Sequence, residues 1–202
     1  MTSARSVWAV GAALLRDPAH ARYVWAQARH SVPKRGKPSR LRAESALAVL
    51  MRHPEVLWLV CFGARVLCIG PRNVDELEAL DRAGWRVDGV DLFPSHPRIR
   101  RGDIGALPYR AGSYDLIYCA HCLEHARDVV QAAGEIARVV SSSGLVWLAV
   151  PRSGEQSAHD IHRFDRVADL TAPFRAAGAT VDVLIGEELE REVRALLRVK
   201  AR

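Results

Sequence analysis

The sequence predicts an α/β protein with a doubly wound, mostly parallel sheet and an N-terminal helical cap. From residue 56 onward, short apolar runs alternate with stretches whose apolar residues recur at helical spacing. Residues 145–150 are apolar throughout, as in a parallel strand that helices cover on both sides. Such alternation is typical of a Rossmann-like sandwich, in which ligands bind outside the carboxyl ends of the strands.

Residues 1–55 are predicted to form the cap, which is helical and basic. Helical spacing over residues 4–30 is interrupted at Asp17-Pro18, where Pro18 can begin a new helix. A loop rich in Pro, Gly and Lys follows, and a short helix over residues 43–52 ends before Pro54. We therefore expect the cap to precede one Rossmann-like domain over residues 56–202.

The elements of that domain follow from apolar runs and from the glycines that end them. Residues 56–62 form an apolar run that leads into the sheet as either a short helix or a strand. Residues 187–202 are acidic first and basic last, which is the polarity that a helix dipole favours. The predicted strands cover 64–69, 85–90, 99–103, 113–120, 145–150 and 180–185, and the predicted helices cover 74–83, 124–140, 164–177 and 187–202.

The positive charge of the chain lies in its first part. The net charge is +6, and residues 1–60 carry ten Lys and Arg against three Asp and Glu, or +7, which leaves −1 for the rest. The basic residues centre on the stretch between Lys34 and Arg42. This stretch is either a solvated loop or a surface for nucleic acid, an anionic membrane or an acidic substrate. Aromatic residues do not interleave with it, which argues against a platform for single-stranded nucleic acid.

The remaining composition predicts a protein of the cytoplasm. No apolar run reaches the length of a membrane-spanning helix. The apolar stretch near the N-terminus resembles a signal sequence only weakly, because Arg16, Asp17 and Pro18 interrupt it. The four cysteines show no disulfide framework, so a reducing compartment is expected.

The stretch from Arg65 to Asp91 predicts a strand, a turn, a helix and a second strand. The first strand ends at Gly70, and Asp91 lies at the tip of the second strand, 21 positions later. A helix N-terminus offers free N–H groups to a ligand, and a carboxylate at the second strand can accept both hydroxyls of a ribose. Asp103 ends the third predicted strand and should reach the same cleft. We therefore expect a nucleotide-like ligand.

Six sequence segments in this order resemble the class I S-adenosylmethionine-dependent methyltransferases, in particular the small domains with a "LEH" signature. The resemblance covers about residues 64–180, and its order and spacing are more specific than any one segment. The segments are VLCIGPRN, VDGVDLF, GDIGALPY, GSYDLIYCAHCLEH, EIARVVSSSGLVWLAVP and HRFD.

The resemblance implies that S-adenosyl-L-methionine is the cofactor and assigns its binding residues. In the family, a carboxylate holds the ribose hydroxyls and a second one accepts from the adenine amino group, which gives Asp91 and Asp103 these roles here. The other residues would contact the cofactor through backbone or apolar groups. They are Gly70, Pro71 and Arg72 in the first turn, Leu92 and Ile104 beside the adenine, and Cys119 with Ala120 along the methionine.

The first turn departs from the family pattern. Cys68 stands where the family has an acid, and no further glycine follows Gly70 in Pro71-Arg72-Asn73. Either Arg72 supplies a cation for the carboxylate of the cofactor while Asn73 caps the next helix, or the turn is damaged and cofactor binding is weak or lost. The missing glycines also argue against a dinucleotide dehydrogenase.

His121 is the candidate catalytic residue, because it follows the fourth predicted strand, where the methyl acceptor would lie. Imidazole is a suitable base for an acceptor hydroxyl. The alternative is that His121 and His125 only pack at a helix start, while His159 and His162 border the acceptor from a loop. Cys119, Cys122 and the two nearby histidines could also be zinc ligands, but no second C-x-x-C follows, so we expect no metal site.

The sequence thus favours a methyltransferase that moves a methyl group to an O, N or C nucleophile, mainly by placing the acceptor in line. The alternative is a non-catalytic relative, a cofactor-binding or scaffold domain whose basic cap docks on a partner. The acceptor is not identified by the sequence, although the basic cap would suit an anionic one.

Overall fold

A seven-stranded sheet in the order β3-β2-β1-β4-β5-β7-β6 is the centre of the computed structural model of this chain. The structure describes residues 22–25, 27–28, 39–71, 73–155 and 160–201. Most of the predicted helices over 4–30 and of the basic loop, together with Arg72 and His159, lie outside the described residues.

Between residues 39 and 201, the described part of the chain forms twelve helices and strands with two short 3-10 turns. Helices α1 and α2 precede the sheet, and α3, α4 and α5 connect its strands. The bounds are α1 Ser39–Leu50, α2 Pro54–Cys61, β1 Arg65–Ile69, α3 Val74–Arg82, β2 Arg86–Asp91, β3 Ile99–Arg101, β4 Tyr114–Ala120, a 3-10 turn Leu123–His125, α4 Val129–Val139, β5 Val140–Pro151, a 3-10 turn Ser153–Glu155, α5 Val167–Ala176, β6 Thr180–Glu188 and β7 Glu192–Lys200.

The doubly wound, mostly parallel sheet is confirmed. Strands β1 to β5 pair in parallel, and β7 is antiparallel to both β5 and β6. Helices α4 and α5 cover one face with a core that includes Ile136 and Phe174, and α1, α2 and α3 cover the other face with a core that includes Leu50 and Leu77. The six predicted strands are present with small shifts at their ends, and the apolar run before the sheet is the helix α2.

The prediction of a helix over residues 187–202 is wrong, because most of this segment forms strand β7. Its acidic start and basic end agree with a helix dipole, but the buried residues Val193, Ala195, Leu197 and Val199 alternate along the chain. Leu196 is buried on the opposite face of the sheet. A strand inside a sheet is covered on both faces, and this burial outweighs the favourable placement of end charges.

The helix predicted over residues 124–140 begins later than expected. A 3-10 turn comes first, and α4 begins at Val129, where the Asp128 side chain accepts from the backbone N–H groups of Val130 and Gln131. The serines after the helix belong to β5, which begins at Val140, directly after α4. An N-cap of this kind stops the helix from extending back toward β4.

Arg138 on α4 holds the loop between β3 and β4 in place. Its guanidinium donates to the carbonyls of Tyr109 and Leu107 at 2.7 and 3.0 Å. The partner of Arg138 on the same helix, Glu135, accepts from the Leu107 N–H at 2.8 Å. The loop that follows Asp103 is therefore fixed at both its carbonyls and its N–H groups, which keeps its first residues at the carboxyl edge of the sheet.

Among the described residues, no helix combines the length and the apolar character that crossing a membrane requires. The division of the chain at residue 55 stays a prediction. Leu50 on α1 and Val56 on α2 are both fully buried in the same core.

Candidate functional site

The residues after β1, β2 and β4 come together at the carboxyl edge of the sheet. Ile69 is paired with Val90 on one side and with Cys119 on the other, so Gly70, Asp91 and Ala120 follow in adjacent positions. Asp91 is itself paired with Arg101, which places Gly102 and Asp103 next along this edge. The predicted convergence of Asp91 and Asp103 on one edge therefore exists.

The backbone conformation at position 70 and the close contact with a neighbouring side chain both require a glycine there. Its φ angle is +72°, in the left-handed region that disfavours a side chain. A Cβ at this position would lie 2.5 Å from the Cys122 sulfur. The buried Pro71 follows, and Asn73 caps α3 by accepting from the Asp75 N–H at 3.0 Å. The turn after β1 thus packs directly against the loop after β4.

Asp91 presents a half-buried carboxylate at the tip of β2. Its Oδ1 accepts from the Phe93 N–H at 2.6 Å. Burial raises the pKa of Asp91 to about 6, while the Phe93 N–H and the charge of Arg101 oppose this shift. A carboxylate in this state gains from additional donors, such as a pair of vicinal hydroxyls, because they stabilise its charged form.

The other predicted cofactor contacts lie around this carboxylate at different depths. Leu92 is half-buried beside it, and the Asp103 carboxylate accepts from the Gly105 N–H at 2.8 Å. Ile104 is buried in the core under the edge of the sheet. Cys119 is fully buried, and its side chain is hydrogen-bonded to Cys122.

His121 lies directly after β4 with a strained backbone. Its φ angle is +52°, and among the described residues it is the one non-glycine with a positive φ. Its N–H donates to the Ala149 carbonyl at 2.8 Å, and its Nε2 lies 2.9 Å from Oε2 of Glu192 on β7. Strain of this kind persists where surrounding contacts fix the residue, and it is common at functional sites.

A small pocket of about 60 Å³, open to solvent at its mouth, begins beside His121. It lies between α1 and the sheet. Its lining residues are Arg42, Ser45 and Ala46 from α1, Tyr118, Ala120 and His121 from β4 and its end, Trp147 and Ala149 from β5, and Glu192 and Arg194 from β7. Sequence reasoning missed Glu192 and Arg194 because it placed them on a helix, and it gave Arg42 only a surface role.

The family comparison addresses this arrangement. Residues 67–148 match the family model described as a methyltransferase domain. These residues run from β1 through the candidate site into β5.

The fold is that of a class I methyltransferase.

Solved structures share this fold at low sequence identity. The Burkholderia thailandensis 1,6-didemethyltoxoflavin-N1-methyltransferase, solved with 1,6-didemethyltoxoflavin and S-adenosylhomocysteine bound, is 18% identical with a TM-score of 0.60, over 94% of this chain and 89% of that one. The Pyrococcus horikoshii protein PH0226 is 14% identical with a TM-score of 0.61, over 81% of this chain and 92% of that one. An S-adenosylmethionine-dependent methyltransferase from Mesorhizobium loti is 12% identical with a TM-score of 0.52, over 67% of this chain and 90% of that one. No curated protein matches this sequence. At these identities the likeness establishes the fold alone.

Tyr23 is a further residue near the candidate site that sequence reasoning missed. Its hydroxyl lies near Asp103, Cys122 and Asp91. Burial, followed by the charge of Asp103, raises its pKa above the ordinary range of a tyrosine. The described part of the N-terminal segment therefore contacts the cleft at the carboxyl edge. No local pattern marks this contact, because 68 positions separate Tyr23 from Asp91.

The "LEH" segment of the methyltransferase domain carries a buried acid. Glu124 is 1% exposed, and its Oε2 has no hydrogen-bond partner among the described residues. Burial raises its pKa from 4.5 to about 8, so it is largely protonated at neutral pH. His125 lies beside it, with Nδ1 at 3.1 Å from the Asp160 carboxylate.

Within the described ranges, the ligand atoms of Glu124, His125 and Asp160 lie close enough together to hold a metal ion, whereas the cysteines are not in such a group. His162, which the sequence placed near the acceptor, has Nε2 at 2.8 Å from the Ala126 carbonyl. The absence of a metal site stays a prediction.

Replacing Gly70 with alanine should destabilise the fold more than the same change at Gly112. Both glycines have positive φ angles, +72° and +64°, but a Cβ at Gly112 meets nothing within 4 Å. We expect Gly112→Ala to cost about 1 kcal/mol in free energy of unfolding and Gly70→Ala about 1–3 kcal/mol more from overpacking. Urea denaturation measures both. Equal losses would show that Cys122 yields without cost and that the turn does not depend on its contact.

Replacing Glu124 with glutamine should remove a pH dependence of stability. The folded protein holds a proton on Glu124 up to about pH 8, whereas the unfolded chain releases it near pH 4.5. The free energy of unfolding should therefore decrease as pH rises between these values, by about 3 kcal/mol at pH 7. Glu124→Gln should abolish this decrease and be more stable than the wild type at pH 7–8.

Glu135→Gln is the matched control with the opposite sign. The hydrogen bond and charge of Arg138 lower the pKa of Glu135, so its contribution to stability is present at neutral pH and lost on acidification. If chemical denaturation from pH 4 to pH 8 gave the two variants the same profile, the burial effect assigned to Glu124 would be wrong.

Proposed function

We propose that this chain is an S-adenosylmethionine-dependent methyltransferase whose cofactor binds at the carboxyl edge of β1, β2 and β4. The observation that carries the proposal is the half-buried Asp91 carboxylate at the tip of β2, whose Oδ1 is held by the Phe93 N–H. The methyltransferase family match over residues 67–148 supports it, as does a structural neighbour with S-adenosylhomocysteine bound.

The residues at this edge fit the parts of that cofactor. Asp91 would hold the ribose hydroxyls, with Leu92 and Ile104 against the adenine and Asp103 accepting from its amino group. Gly70 and Pro71 would contact the amino-acid part through the backbone, and Arg72 would supply a cation for its carboxylate. When bound, the cofactor supplies a methyl group on a sulfonium, which is a good leaving group. Cys119 would contribute its backbone.

His121 is proposed as the base that takes a proton from the acceptor. Glu192 at 2.9 Å from Nε2 favours the tautomer in which Nε2 carries the proton and donates to the carboxylate. Nδ1 then has the free lone pair that a base needs. Glu192 also stabilises the charged imidazole after the proton is taken, so His121 can act on an O–H or N–H group at the mouth of the pocket.

A second candidate function is a non-catalytic scaffold, and the Gly70 turn is the observation that favours it. The space next to this glycine is occupied by Cys122, and no second glycine follows. In this case the basic stretch between Lys34 and Arg42, within a separate cap over residues 1–55, would bind the partner. Titration with the cofactor separates the two functions.

The Asp91→Asn variant should lose cofactor affinity. The amide cannot accept two charge-assisted hydrogen bonds from a ribose, so we expect the Kd for S-adenosylmethionine to increase about tenfold or more. In the wild type the pKa near 6 means that the carboxylate is neutral in acid. The Kd should therefore increase below pH 6, by up to about tenfold per pH unit. Calorimetric titration from pH 5 to pH 8 measures both effects.

Asp88→Asn is the matched control, because Asp88 lies on the same strand but bonds to Tyr114 and Arg65 away from the edge. It should bind the cofactor as the wild type does. Folded wild-type protein that gives no heat with S-adenosylmethionine or S-adenosylhomocysteine would exclude the enzyme proposal and favour the scaffold.

The His121→Asn variant should bind cofactor normally and transfer poorly. Asparagine tolerates a positive φ better than most residues, so the backbone is kept while the base is lost. We expect turnover to decrease by about 10²–10⁴-fold, and Glu192→Gln to decrease it less. S-adenosylhomocysteine release in a screen of hydroxy and amino compounds provides the assay. Turnover within about threefold of the wild type would mean that catalysis is placement alone and that His121 only packs.

A further inference from the structure

We infer that the pocket between α1 and the sheet binds the carbonyl oxygen of a small, neutral acceptor and holds its reactive O–H or N–H group at His121. This inference rests on the proposed methyltransferase function for the identity of the ligand as acceptor. The pocket itself, its donors and its charges are features of the chain that the cofactor site does not use.

The shape of the pocket comes from a row of small residues beside a row of large ones. Tyr118 pairs with Trp147, and two residue pairs closer to the carboxyl edge Ala120 pairs with Ala149. The side chains of all four face α1, because alternate residues of a strand share a face. The two alanines leave a hollow above the sheet, the aromatic pair closes its inner end, and His121 lies at its outer end.

Three hydrogen-bond donors that line this hollow have no partner within the described part of the chain. They are the Tyr118 hydroxyl, the Trp147 indole N–H and the Nε–H of Arg42. Tyr118 is 1% and Trp147 0% exposed. An unpaired buried donor costs about 1–3 kcal/mol, and native proteins seldom keep several in one place. Their concentration at one pocket indicates a ligand that accepts hydrogen bonds.

The charges around the pocket favour a neutral acceptor group over a carboxylate. Arg42 is within 3.7 Å of the buried Glu76, and Arg194 is paired with both Glu187 and Glu192. Each cation is therefore already balanced, and Glu192 adds negative charge at the mouth. A carboxylate would meet donors but no uncompensated positive charge, whereas a carbonyl oxygen satisfies the donors without bringing charge into the site.

The position of the donors also orients the acceptor. Tyr118 and Trp147 lie two residue pairs inward from Ala120 and Ala149, while His121 is at the rim. A planar compound whose oxygen reaches the aromatic pair would lie over the two alanines and project its far side toward His121. The donors would then select the compound and set its orientation, and the histidine would act on its exposed O–H or N–H.

The test uses 2-pyridone as a neutral carbonyl probe and benzoate as a carboxylate of similar size. Ligand-observed NMR on the full chain should give a millimolar Kd for 2-pyridone and weaker binding for benzoate. Tyr118→Phe should weaken 2-pyridone binding about fivefold, the loss of one hydrogen bond. Ala149→Leu should fill the hollow and abolish binding, whereas Ala48→Leu, an exposed change on the same helix as Arg42, should have no effect.

Thermal denaturation gives a readout that does not need the probe. If the Tyr118 hydroxyl is unpaired in the free protein, Tyr118→Phe should leave the Tm unchanged or raise it. The Tyr118→Phe variant also allows the test to be made if Ala149→Leu does not fold. A lower Tm, wild-type binding of 2-pyridone by Tyr118→Phe, or tighter binding of benzoate would each overturn the inference.

Titration of the same variants with S-adenosylmethionine separates this inference from the proposed function. Ala149→Leu should keep the cofactor affinity of the wild type, since the hollow lies apart from Asp91. If the protein binds 2-pyridone but no cofactor, the pocket inference stands and the methyltransferase proposal is excluded. If it binds cofactor but fails the tests with 2-pyridone, the methyltransferase proposal stands and the pocket inference is excluded.

Discussion

The close approach of two loops at the carboxyl edge of the sheet is the constraint on which the site depends. The turn after β1 can pass the loop after β4 only because Gly70 has no side chain, and Cys122 fills the space that a Cβ would take. This contact fixes the end of β4, and the end of β4 carries His121. The proposed cofactor cleft on one side of the loop and the proposed acceptor pocket on the other therefore share a wall, and Gly70 sets the position of that wall.

The parts of the site that the sequence predicts are those defined by local pattern. Gly70 and Asp91 belong to one strand-helix-strand unit, so their spacing along the chain fixes their places in space. Asp103 ends the next strand, and the same rule for parallel strands applies to it. Strand positions were also predictable, because apolar runs between glycines and prolines mark them, although Arg72 and most of residues 1–38 lie outside the described residues.

The parts that the sequence does not predict depend on contacts between distant segments. Glu192 becomes the partner of His121 only because β7 enters the sheet beside β5, and a charge pattern typical of a helix obscured the alternation of that strand. Arg42 looked like one more member of a basic run, yet its guanidinium reaches a pocket beside Tyr118. Tyr23 shows the same effect, since only the folded chain brings it to the cleft. Propensity and spacing carry no information on such pairs.

The order of the strands has a consequence for how the molecule assembles. Strand β7 follows β6 along the chain but lies inside it in the sheet, so β5 keeps an open edge until the last strand has been made and has inserted. That edge is apolar, and an open apolar edge invites pairing with other chains. Because Glu192 arrives with β7, the imidazole of His121 acquires its carboxylate in the same step that closes the sheet. A molecule trapped before this step would have the carboxyl edge of β1, β2 and β4 in place, but His121 would lack its contact with Glu192.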